Sequence, residues 1–156
     1  MTELGRIHRT PAGQNVLVVV GCGKAKVWDR NPGAGAVPAC DAYASSLFKL
    51  CRRYAIAVAG DRWAILSAKY GFLRPADLIM QYNTAFGKNA DAISVAELRA
   101  QWRQRFRHVR TVVSLASRAY NERLAAAVAE TVRLEMPLAG LNLFQRTAWL
   151  SRAAAP

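Results

Sequence analysis

Residues 16–26 read Val-Leu-Val-Val-Val-Gly-Cys-Gly-Lys-Ala-Lys, and this stretch decides the fold. Five apolar residues, four of them β-branched, run directly into a small-residue turn carrying two lysines. An unbroken run of this kind suits a strand buried on both faces, the central strand of an α/β sheet. In open α/β sheets ligands bind beyond the carboxyl ends of the strands, where such a turn lies. The turn is therefore either a ligand loop or a surface turn whose lysines are merely solvated.

Downstream, Leu47, Leu50, Cys51, Tyr54 and Val58 make an amphipathic helical stripe, with Lys49, Arg52 and Arg53 outward. Gly60 stops this helix, and Asp41 or Ser45 caps its start. Between strand and helix, residues 28–38 carry Pro32, Gly33, Gly35 and Pro38 and no period, so they read as a long loop. Trp63–Ala68 is a second buried strand, and it too ends in a lysine-bearing turn, Ser67-Ala68-Lys69-Tyr70-Gly71. Residues 72–93 read as a largely irregular excursion. Ser94-x-x-Glu97 is a capping-box pattern opening a helix to about Arg107, with Val95, Leu98, Trp102 and Phe106 inward. Thr111–Ala116 is a third strand, and Ser117 opens a helix through about Val132 with Tyr120, Leu124, Val128 and Val132 inward. Leu134–Ala139 is a short fourth strand. Asn142–Ser151 is a terminal helix with Leu143, Phe144, Trp149 and Leu150 inward. The alternation predicts an α/β fold: a three-layer α/β/α domain on a mostly parallel sheet of about four strands.

The chain has 156 residues, 53% of them apolar, enough for one domain with a real core. A basic arm over residues 1–14 and one α/β domain over 15–152 are expected. No apolar run approaches the ~20 residues that cross a membrane. The N-terminal MTELGRIHRTPAGQ has no apolar core and reads as no secretory signal, so a cytoplasmic protein is expected. The net charge is +12, from 22 basic and 10 acidic residues. This favours a polyanionic partner, nucleic acid above all. Cys22, Cys40 and Cys51 are odd in number and match no zinc spacing, so neither a disulfide scaffold nor a metal is expected, and no cofactor is implied. The oligomeric state is left open.

GCGKAK lacks the spacing of a nucleotide-hydrolase phosphate loop, and no dinucleotide fingerprint or nucleophile elbow occurs. Cys22 is either a nucleophile activated by nearby lysines or a small apolar filler after a strand; the filler is favoured. The polar residues at strand ends and in the loops beyond them are Lys24, Lys26, Asp41, Tyr43, Ser45, Ser46, Ser67, Lys69, Tyr70, Gln81, Tyr82 and Asn83. Such a set suits a base or sugar-phosphate. Lysines hold phosphate as point charges, tyrosines stack on bases, and Asn or Gln reads base edges. Each has a plainer role open to it: Tyr43 and Tyr70 as core or rim aromatics, Ser45 as a helix cap, Gln81 and Asn83 as loop surface.

Four motifs in order carry a resemblance: Val20-Gly-Cys-Gly23-Lys-x-Lys26; Pro38-Ala-x-Asp41-x-Tyr43-x-Ser45-x-Leu47-Phe48; Leu66-Ser-Ala-Lys69-Tyr70-Gly-Phe-Leu73; and Ile79-x-x-Tyr82. They resemble an uncharacterised-domain family of bacteria and phages that is similar to the peroxide-stress YaaA proteins and to the archaeosine synthase core domain. The resemblance implies a fold like that of uracil-DNA glycosylases and an association with nucleic acid. In that wider group the activities include base excision and chemistry on 7-deazaguanine bases. The Cys-x-x-x-Lys and Tyr-x-Ser elements of archaeosine synthase resemble Cys22 to Lys26 and Tyr43 to Ser45 or Ser46, while Leu47 and Phe48 stand where it has a histidine.

These readings together lead to a DNA glycosylase that flips a modified or damaged base into a pocket. Asp41 is expected to orient water or stabilise the sugar cation, with Lys24 or Lys26 as nucleophile if the strand is also cleaved. Cys22, Gly23, Tyr43, Ser45, Ser46, Ser67, Lys69, Tyr70, Gln81, Tyr82 and Asn83 are expected to bind substrate. The alternatives are a non-enzymatic DNA-binding protein and an enzyme on free nucleotides or on 7-deazaguanine-type bases in RNA.

Overall fold

A computed structural model describes residues 15–154; the basic arm expected over residues 1–14 lies outside them. The strand read first is central. β1 (Val16–Gly21) pairs in parallel with β3 (Trp63–Ser67) on one side and β6 (Thr111–Ser114) on the other. β7 (Arg133–Glu135) continues the sheet parallel to β6. β4 (Gly71–Leu73) closes the other edge antiparallel to β3, giving five strands in the order β4-β3-β1-β6-β7. Side chains alternate across a strand, so β1 feeds two cores. Val18 and Val20 face a cluster with α2 (Ser46–Ala59) and α5 (Leu143–Ala153). Leu17 and Val19 face one with α3 (Val95–Arg105) and α4 (Arg118–Ala127). Helices thus cover both faces, which is why β1 is apolar at every position.

Several helix starts follow the sequence signals. The Ser45 hydroxyl accepts the Phe48 N–H at 3.1 Å, and the Ser94 hydroxyl accepts that of Glu97 at 3.1 Å. Asp41 does not cap α2; it belongs to a separate short helix, α1 (Ala39–Ala42).

Four expectations are corrected. The sheet has five strands rather than about four. The added β4 is too short to show a period, and its hairpin depends on a distant residue: Gln101 of α3 accepts the Phe72 N–H at 2.8 Å and donates to the Tyr70 carbonyl at 3.0 Å. Residues 28–38 are not all loop. Val27–Asp29 is a 3-10 turn whose Trp28 is buried and donates to the Gly35 carbonyl at 2.7 Å. At its end β2 (Val37–Pro38) pairs antiparallel with β5 (Leu78–Ile79) from the excursion. α4 stops at Ala127, because Val128 takes extended backbone angles. Leu143 and Phe144 are 65% and 81% exposed rather than inward. They occupy the first turn of α5, whereas contact with α2 falls further along, where Trp149 meets the Tyr54 ring. Among the described residues no helix is long and apolar enough to cross a membrane.

Candidate active site at the carboxyl edge of the sheet

β1, β3 and β6 run parallel, so their carboxyl ends share one edge. The Cys22 N–H donates to the Leu66 carbonyl at 3.1 Å, drawing the turn after β1 against the end of β3. That turn then folds back on the segment preceding α2. Ala44 N–H donates to the Ala25 carbonyl at 3.0 Å, and Lys26 forms an antiparallel bridge with Tyr43. The fold-back separates the two lysines: Lys24 is exposed and Lys26 is buried.

The Lys26 ammonium donates to the Lys24 carbonyl at 3.2 Å and lies 4.6 Å above the centre of the Tyr82 ring, a cation–π arrangement. The Tyr82 and Tyr43 hydroxyls share a hydrogen bond of 2.5 Å, and Tyr70 stands edge-on to Tyr82 at 5.4 Å. Ser67, at the end of β3, accepts the N–H groups of Lys69 and Tyr70 and acts by hydrogen bonding on the Tyr43 and Tyr82 phenols. From the third strand end comes Tyr120 of α4, whose hydroxyl lies 3.3 Å from the Cys22 sulfur and whose ring packs on Phe86 at 4.8 Å.

These surroundings set the protonation states. Burial lowers the Lys26 pKa from the usual amine value, opposed by Cys22 and Asp29. Burial, reinforced by the nearby Cys22, raises the pKa of Tyr43, Tyr82 and Tyr120. Burial thus works against the charged form of Lys26, and the three phenols beside it are held protonated. Amine and thiol can act as nucleophiles, and the phenols can donate protons or hydrogen bonds.

Cys22 and Tyr120 also line a cleft of about 110 Å³, with Gly23, Ser45, Ser117 and Arg146. Gly21 keeps its floor narrow, since a Cβ there would stand 3.3 Å from that of Ala116.

Of the residues expected at the site, Cys22, Lys26, Tyr43, Ser67, Tyr70 and Tyr82 come together around the buried amine, and Gly23 and Ser45 line the cleft. Lys24, Ser46, Lys69, Gln81 and Asn83 are exposed. Lys69 lies 5.4 Å from the Tyr70 ring. Asp41 is exposed and pairs with Arg52 of α2 at 3.4 Å, so its carboxylate is committed to a surface cation. Sequence reasoning missed Tyr120 and Arg146 as site residues. The signal for Tyr120 was present: it lies in the first turn of α4, the helix that follows β6, and β6 is parallel to β1.

With the geometry described, comparison with known proteins places the chain. Residues 17–152 match the family of unknown function DUF6884. The chain belongs to that family. It is 42% identical over 125 residues to the uncharacterized protein YfjM of Bacillus subtilis (strain 168), a match covering 78% of this chain and 83% of that protein. The DUF6884 match takes in Cys22, Lys26, Tyr43, Ser67, Tyr82, Tyr120 and Arg146, so all the walls of the site lie within the family's extent.

Proposed function

We propose that this DUF6884 chain is a DNA glycosylase with Lys26 as its nucleophile, acting on a modified or damaged base taken out of the stack. The observation that carries the reading is the buried Lys26 amine, held below its usual pKa beside Cys22 and the Tyr43–Tyr82 pair on a chain of net charge +12. The neutral amine attacks C1′ of the flipped nucleotide. The glycosidic bond breaks with its electron pair leaving on the base, which takes a proton from the phenol network. The bound amine passes a proton to the sugar ring oxygen O4′ as the C1′–O4′ bond breaks, and the opened sugar is left joined to Lys26 as a protonated imine. Burial under the Tyr82 ring means that the nucleotide displaces that ring to reach the amine. Lys24 and Lys69, exposed in the turns after β1 and β3, hold flanking phosphates. Asp41, paired with Arg52, has no part in this scheme. The motif order resembling YaaA and archaeosine synthase supports the reading, as does the glycosylase-like fold it implies.

The test is a panel of duplexes, each with one altered base (uracil, hydroxymethylated, oxidised or 7-deaza), assayed for abasic sites and trapped with borohydride. The expected result is release from one member and a trapped covalent adduct that Lys26→Ala abolishes. Binding with no abasic site on any member overturns the reading. A second reading, modification of a 7-deazaguanine-type base in RNA, draws on the pairing of Cys22 with Lys26 four residues on. Its mark is a change of mass in a 7-deaza RNA with the glycosidic bond intact.

A further inference from the structure

The cleft at Cys22 continues past the active-site cluster. A second hollow of about 390 Å³ adjoins it along the ends of β6 and β7, lined by Asn121, Met136, Ala139 and Gly140, and sharing Ala116 and Arg146 with the first. Arg146 of α5 stands where the two meet. Its Nε donates to the Leu141 carbonyl at 2.9 Å, which orients the guanidinium. Among the described residues no carboxylate pairs with it, and its terminal nitrogens have no partner. The other two charges in the hollow, Arg118 and Glu122, neutralise each other at 3.5 Å. Arg146 is thus half withdrawn from water, in a furrow wide enough for a ligand, with no carboxylate paired to it among the described residues. Its charge is felt inside: it opposes the burial that pushes the Cys51 thiol up to about 12.

We propose that Arg146 binds a phosphate of the substrate, the one attached to the nucleotide whose base meets Cys22 and Tyr120. A guanidinium with its Nε fixed and its outer N–H groups free presents the planar fork that takes two phosphate oxygens. The Ser117 hydroxyl lines the same cleft and makes no capping bond to α4, so it is available as a further donor. That the phosphate belongs to a nucleotide rests on the function proposed above; that the furrow takes a phosphate does not.

The experiment measures binding of thymidine 5′-monophosphate, thymidine and inorganic phosphate to the full chain, as wild type, Arg146→Ala, Arg146→Gln and Arg146→Lys. Arg103→Ala, on the outer side of α3, is the control. Loss of a charged hydrogen bond predicts a drop of about 10-fold or more in nucleotide affinity for Arg146→Ala and Arg146→Gln. Arg146→Lys retains part of the affinity, thymidine is insensitive, and the control is unchanged. Arg146→Gln keeps an amide donor for the Leu141 carbonyl, so its loss of affinity with an unchanged melting temperature separates charge from folding. No binding of nucleotide or phosphate to the wild type, or binding within twofold of wild type in Arg146→Gln, overturns the site. Nucleotide binding that depends on Arg146, with no base release from any duplex, keeps the phosphate site and removes the glycosylase. Base release unimpaired in Arg146→Gln keeps the glycosylase and overturns Arg146 as the holder of the substrate's phosphate.

Discussion

The turns after β1 and after β3 look alike as sequence, Gly-Cys-Gly-Lys-Ala-Lys and Ser-Ala-Lys-Tyr-Gly, and they leave the same edge of the sheet side by side. They end differently. The first crosses to the segment before α2 and buries Lys26 through the bridge to Tyr43. The second reverses at once into β4, pinned by the Ser67 hydroxyl and by Gln101, and leaves Lys69 in water. A lysine in a strand-end turn becomes chemically distinct when a second segment closes over it. Ammonium groups otherwise stay solvated, because removing a charge from water is costly.

Exchanging the two lysines' fates gives the largest expected effect. Lys26→Ala should lower base release by about 100-fold or more, as loss of a covalent nucleophile does. Lys69→Ala should leave single-turnover release intact and only weaken duplex binding, with a shallower salt dependence. Equal losses in both variants, read from single-turnover kinetics, would erase the distinction between the turns.

The second turn breaks at Gly71, which has φ +79° and backs onto the Gln101 amide, where a Cβ would collide. Gly71→Ala should cost on the order of 1–3 kcal/mol, read as a fall of several degrees in Tm. An unchanged Tm would mean that the Gln101 clamp does not hold the hairpin.

The pH dependence of stability sharpens the contrast further. The folded-state pKa of Lys26 is depressed, so between that value and 10.5 the unfolded chain binds more protons, and stability rises with pH across the window. Lys26→Met should be more stable than wild type at neutral pH, with the gap closing as pH climbs toward the ordinary lysine range. Lys69→Met, at an exposed position, should show no such convergence. Denaturation in urea across alkaline pH checks both.

The smallest effect is expected at Asp41. Its ion pair with Arg52 is largely exposed, and such pairs contribute about 0–1 kcal/mol. Asp41→Asn should barely move Tm or base release; a large loss of release would restore Asp41 to the chemistry.

Much of the architecture was legible because it rests on neighbours in sequence. The apolar run at Val16–Val20, the stripe ending at Val58 and the hydroxyls of Ser45 and Ser94 each act within a few residues. β4 and the exposure of Phe144 were not legible, since one depends on Gln101 some thirty residues away and the other on where α5 meets α2.

The same division runs through the site. The amino-acid sequence by itself determined that β1 is a strand buried on both faces, that the strands are mostly parallel, and that Cys22, Ser67 and their lysines share an edge, because hydrophobic period and chain connectivity are local properties. Only the tertiary structure decided that Lys26 turns in while Lys24 and Lys69 turn out, that Asp41 stays on the surface with Arg52, and that Tyr120 and Arg146 join Cys22. Those outcomes depend on contacts between residues as far apart as Cys22 and Tyr120, 98 positions in the chain. Whether a polar group is buried is decided by the partners that close around it, and no local spacing records them.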